Sequence, residues 1–128
     1  MGRAADFFML LGFSVFEQKE LTGEWIDTVT GLHGVRALYA GLRHESVSTV
    51  VELLQYLHPE GERSAALSKA NSIGIRHFAF QVQNIEEDIR KMEDSGAEFF
   101  GPLQTNPYGK KMIYVKGPEG IIVELAEL

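Results

Sequence analysis

Leu38-Tyr-Ala-Gly-Leu-Arg-His-Glu-Ser-Val-Ser-Thr-Val-Val-Glu-Leu-Leu54 and Met112-Ile-Tyr-Val-Lys-Gly-Pro-Glu-Gly-Ile-Ile-Val-Glu-Leu-Ala126 follow one pattern, and each ends on Val-Glu-Leu. Ordered similarity of this kind marks an internal repeat. A second correspondence extends it, since a helix, a glycine and an aromatic strand run from Phe7 to Phe16 and again from Ile89 to Phe100. The two halves are copies of one supersecondary unit.

Outward from the second copy the signals are sharp. Ile75-Arg-His-Phe-Ala-Phe-Gln-Val82 alternates strictly, which predicts a strand with Phe78, Phe80 and Val82 on a core face and His77, Ala79 and Gln81 on the other. Asn84 is an N-cap with Glu87 three residues on, Ile85, Ile89 and Met92 form a buried stripe, and Gly96 closes the helix. Strands are predicted at Ala97–Phe100, Lys111–Lys116 and Ile121–Glu127, with turns at Asn106–Gly109 and Gly117–Gly120. The second half reads strand, helix, strand, strand, strand.

In the first copy, Ala4, Phe7, Phe8 and Leu11 stand at helical spacing and Gly12 can end the helix. Phe13 to Phe16 alternates as a strand, and Thr22 is an N-cap candidate for a short helix or ordered excursion carrying Trp25, Ile26 and Val29. Val35–Arg43 and Ser48–Tyr56 read as an antiparallel hairpin joined at His44-Glu-Ser46. A polar stretch with a short helix at Ser64–Ala70 follows. The division expected is one domain over 1–128, with module one at 1–58, a linker at 59–72 and module two at 73–128. The repeat also predicts an asymmetry: His77 lies 19 residues before the helix-closing Gly96, and the matching position before Gly12 falls ahead of Met1. Module one is therefore expected to lack its first strand, so that the chain is a fragment of a longer protein or a neighbouring chain supplies a strand to the open edge. Self-association, as a dimer, is the corresponding expectation.

Composition bounds the function. A chain of 128 residues, 45% hydrophobic and 23% charged, makes one domain that buries roughly two-thirds of its unfolded surface. The net charge of −6 provides no positive field for a nucleic acid or an anionic membrane surface. Zero cysteines exclude disulfides, thiolate metal sites and cysteine nucleophiles and fit a reducing compartment. No apolar run approaches the ~20 residues of a spanning helix, and no signal-peptide core opens the chain. A cytoplasmic protein is expected. Phosphate-cradling glycine motifs, Gly-x-Ser-x-Gly and zinc-protease helices are absent.

Three residues stand out for chemistry. Glu52 and Glu124 occupy equivalent repeat positions inside apolar strands, where a carboxylate is costly unless paired or bound to a metal. If the repeats pack with approximate two-fold symmetry, the two glutamates approach a shared cleft and His77 joins them. One imidazole and two carboxylates suit Mn, Fe, Co, Ni or Zn with open positions for substrate. His33, His44 and His58 lie in loops without ligand spacing and read as surface residues, and Trp25 reads as a cleft or dimer contact.

Ala4-Ala-Asp-Phe-Phe-Met-Leu-Leu-Gly-Phe13, Val51-Glu-Leu53, Ile75 to Val82, Ser95-Gly-Ala97 and Gly117-Pro-Glu-Gly-Ile-Ile-Val-Glu-Leu125 together resemble the glyoxalase, bleomycin-resistance and extradiol-dioxygenase group, the vicinal oxygen chelate superfamily. The resemblance implies an α+β fold of two βαβββ modules forming a curved mixed sheet around a cleft, with Glu52, His77 and Glu124 as ligands of a divalent metal. The family's fourth ligand, a His on the first strand of module one, has no counterpart, which argues against the two-His iron site of the dioxygenases. The implied activity is that of a glyoxalase- or epimerase-type lyase or isomerase on a small oxygenated metabolite, with Glu52 or Glu124 as the base. The alternative is a non-catalytic small-molecule sequestration protein of the bleomycin-resistance kind. Asn106-Pro-Tyr-Gly-Lys-Lys111 also resembles the Gly-Lys-Lys stretch of methylmalonyl-CoA epimerases, which implies Lys110 or Lys111 as a partner for a carboxylate or phosphate.

Overall fold

In the computed structural model, which describes residues 1–128, the chain falls into two units, Met1–Arg63 and Ser64–Leu128. The first contains α1 (Gly2–Leu10), β1 (Ser14–Thr22), α2 (Glu24–Thr30), β2 (Arg36–His44) and β3 (Val47–His58). Its strands form an antiparallel sheet in the order β1-β2-β3. Apolar periodicity sends one face of that sheet to each helix. Ala40 and Leu42 are fully buried on the side where Phe7, Phe8 and Phe13 stack edge to face, whereas Leu21, Ile26, Val35 and Ala37 make a smaller core with α2 that Tyr39 and Tyr56 flank.

The second unit contains a short 3-10 turn (Ala65–Ser68), then β4 (Phe78–Gln81), α3 (Ile85–Asp94), β5 (Glu98–Phe99), β6 (Gln104–Thr105), β7 (Lys111–Lys116) and β8 (Ile122–Glu127). The sheet order is β4-β8-β7-β5, with β6 also on β7, and β4 runs parallel to β8 while the other pairs are antiparallel. The helix packs against β8, and its two fully buried apolar side chains, Ile85 and Met92, share the core with Ile113, Val115, Val123 and Leu125. Its start is capped as the sequence predicts, Asn84 Oδ1 accepting from the Glu87 amide at 3.1 Å. Glu127 adds an acceptor for the Ile85 amide at 2.8 Å. Past the ends of α1 and α3, Gly12 and Gly96 take φ of 87° and 81°, a region closed to most side chains.

The α+β class agrees with the sequence reading, the sheet of the second unit being mixed and that of the first antiparallel. Several local expectations are corrected. Thr22 does not cap α2. It is the last residue of β1, paired with Arg36, and the ladder pairing leaves Gly23 at the cap. The helix expected at Ser64–Ala70 contracts to one 3-10 turn, with Ser64 Oγ accepting from the Ala66 amide. The strand expected from Ile75 begins only at Phe78, and Phe78 is 57% exposed rather than in the core, because β4 is a four-residue edge strand while the helix lies over β8. His44 is not a loop residue. It ends β2, packs its ring 5.3 Å from that of Phe13, and accepts from the Ser46 amide.

Candidate functional site

Glu124 sits in the middle of β8, flanked by β4 and β7, with Ala79 and Tyr114 directly opposite it. Side-chain alternation puts it on the sheet face away from α3. Only 5% of it is exposed, so its charge requires a partner. That partner is Lys110, whose Nζ donates to Glu124 Oε1 at 2.8 Å. His77, immediately before β4, brings Nε2 to 3.4 Å from the other oxygen, Oε2. Tyr114 lies against the imidazole, with ring centroids 4.9 Å apart and its hydroxyl 3.4 Å from both ring nitrogens. Phe100 meets Tyr114 edge to face at 6.3 Å and walls off one side. A carboxylate, an ammonium, an imidazole and a phenol are thus gathered on one sheet face.

Lys110 is presented by a rigid turn. Asn106 Oδ1 accepts from the amides of Tyr108 and Lys110, and the Asn106 amide donates to the Lys110 carbonyl at 2.9 Å. Lys111 takes the opposite face. Its Nζ bridges Glu86 at 2.7 Å and Glu127 at 3.0 Å. These contacts raise the Lys111 pKa and lower those of Glu86 and Glu127, the last of them chiefly through its bond from the Ile85 amide. One of the two adjacent lysines serves the site and the other ties β7 and β8 to α3. A shallow groove between α3 and the β5–β6 segment, floored by Ile89, Phe99, Leu103 and Ile113, contains none of the site's four groups.

In the first unit, Glu52 lies opposite Gly41 on β2 and accepts from the Tyr39 hydroxyl at 3.0 Å. Partial burial, followed by the bond to Glu52 and the charge of Glu17, pushes the Tyr39 phenol above its ordinary value, so it stays a donor. Gly41 makes this contact possible: a Cβ there would come within 2.9 Å of the Tyr39 hydroxyl and 2.7 Å of the Phe16 ring. Glu52 is exposed. The physical difference from Glu124 is position in the sheet, since β3 is an edge strand and β8 a central one.

The structure thus brings His77 and Glu124 together within the second unit and puts Glu52 on a strand of the first. An imidazole and a carboxylate are donors of the right chemistry for a first-row divalent ion, so this pair fits such a group in kind. No cluster of three or more His, Asp or Glu that could hold a metal ion is formed. Sequence reasoning passed over Tyr39 and Tyr114, of which Tyr114 faces Glu124 across its hairpin whereas Gly41 holds the corresponding place opposite Glu52. A tyrosine on the strand that precedes each glutamate strand was the available signal.

The family model described as Glyoxalase/Bleomycin resistance protein/Dioxygenase superfamily matches residues 1–125. The Bacillus subtilis (strain 168) protein YwkD is 27% identical over 81 residues, covering 62% of this chain and 59% of its own length. The chain therefore spans less than two-thirds of that curated relative. A glyoxalase family protein from Bacillus cereus superposes with a TM-score of 0.90 at 27% identity, covering 99% of this chain and 85% of that one. A second, from Enterococcus faecalis, gives 0.71 at 26% identity over 99% and 88%. No helix is long and apolar enough to cross a membrane. With two strand glutamates at equivalent repeat positions and a family match over nearly its whole length, the chain belongs to the glyoxalase, bleomycin resistance protein and dioxygenase superfamily.

Proposed function

We propose that this protein is a divalent-metal-dependent lyase or isomerase of the glyoxalase or epimerase type, acting in the cytoplasm as a homodimer on a small oxygenated metabolite. The observation that carries the proposal is the Glu124 cluster: a buried carboxylate on a central strand, with an imidazole at 3.4 Å and a cation already on its other oxygen. Members of this superfamily often bind divalent metals. His77 and Glu124 are the proposed ligands from the second unit, and Glu52 the third on the strength of its equivalence in the repeat. A divalent ion held by them would polarise a carbonyl or enediolate oxygen of the substrate. Of this chain's own residues, a glutamate takes a proton from the carbon beside that oxygen and returns it, Glu52 and Glu124 being the two bases available. The Tyr39 hydroxyl donates to Glu52 at 3.0 Å, and the Tyr114 ring lies against that of His77. The open outer edge of β3 is the surface proposed for pairing between copies.

One observation favours a second reading. Glu124 is already satisfied by Lys110 at 2.8 Å, so the site is electrostatically complete without a metal. A non-catalytic small-molecule sequestration protein would use it in that form. Titration with Mn²⁺, Ni²⁺ and Zn²⁺, followed by lyase and isomerase assays on the metal-loaded protein, separates the two. The enzyme reading expects one ion per chain and turnover. Binding of a small oxygenated ligand without metal or turnover supports the second reading and overturns the first.

A further inference from the structure

We infer that Lys110 is a tethered cation that competes with a divalent ion for Glu124, and so sets the metal affinity of the site; this rests on the metal-dependent reading above. Three observations carry the inference. Glu124 is buried and charged, a state that needs a counter-charge whenever no metal is bound. Lys110 Nζ supplies it at 2.8 Å on Oε1, while His77 approaches Oε2, so the ammonium sits on the same carboxylate that a metal ion beside His77 would use. The Asn106 turn fixes the backbone of Lys110 through two bonds to its amide and carbonyl, and its side chain remains about a third exposed, at 31%. The flexible stem can therefore swing the ammonium into water when a stronger cation arrives, without moving the strand.

An ammonium on Oε1 and a metal ion on Oε2 would be two cations on one buried carboxylate, repelling one another in a site of low dielectric. Binding of the ion includes the cost of releasing Lys110, and its apparent affinity is lowered accordingly. Lys111 offers an internal control, since its partners are Glu86 and Glu127 and it makes no contact with Glu124.

The test is calorimetric titration of Zn²⁺ into the full chain, its K110M and K110R variants, and K111M. Removing the ammonium is expected to tighten zinc binding by about tenfold or more, a coupling of ordinary size for two linked sites, whereas K110R and K111M stay near the unsubstituted protein. A second readout avoids any folding defect of K110M: with ¹³C-labelled lysine, Zn²⁺ is expected to shift the Lys110 Cε resonance of the unsubstituted chain as the ion pair breaks. Zinc binding that E124Q abolishes, but that leaves this resonance and the K110M affinity unchanged, overturns the competition and leaves the metal site standing. No zinc binding by the full chain, K110M, K110R or K111M overturns the metal-dependent reading and the competition with it.

Discussion

Asp27 shows how single residues hold the elements that frame the first unit. Its two carboxylate oxygens each accept a backbone amide at 2.8 Å, from Gly34 and from Val35, clipping the end of α2 to the start of β2. These two bonds hold its carboxyl below the ordinary 3.8. A depressed folded pKa contributes stability that is present above the unfolded value and is lost as pH falls through the folded value. D27N is therefore expected to melt at lower temperature than the unsubstituted protein near neutral pH, with the difference shrinking under acid; thermal melts across that range check it. At Gly41 the constraint is space. G41V should drive the Phe16 ring and the Tyr39 hydroxyl aside, break the Tyr39–Glu52 bond and so bring the Tyr39 phenol back toward its ordinary value, which an NMR titration of the assigned Tyr39 ring reads directly.

Among elements, the two glutamate strands behave differently because one is flanked and the other is not. Leu42 on β2 and Ile85 on α3 are fully buried, and replacing either with alanine is expected to cost about 2–5 kcal/mol in urea unfolding. Val50 on β3 is exposed, and V50A should lie within about 0.5 kcal/mol of the unsubstituted chain. The same contrast explains what was legible in the sequence. Local signals sufficed for α3, where Asn84 and Gly96 mark both ends, and for β7, whose bounds at Lys111 and Lys116 match the alternation. They failed at Thr22, where pairing with Arg36 outweighs capping, and at β6, a two-residue strand whose existence depends on β7. Periodicity also assigned Phe78 to a core, because alternation reports which face a residue occupies and not whether that face is covered.

At the scale of the molecule, the repeat is what made the family readable, since equivalent positions in the two copies carry Glu52 and Glu124. What the repeat did not contain is the ion pair across 14 residues between Lys110 and Glu124, which belongs to the second copy alone and arises from the turn that aims Lys110 at β8. The open edge of β3 predicts self-association: sedimentation at micromolar concentration is expected to give a dimer, and a monomer would remove the pairing surface from the account. The central claim is that His77 and Glu124 belong to a divalent-metal site, and metal titration of the unsubstituted chain beside H77A and E124Q tests it most directly. The account predicts one ion per chain, with binding lost in both variants. Dissociation constants no tighter than millimolar for every divalent metal, or binding indifferent to both substitutions, would contradict it.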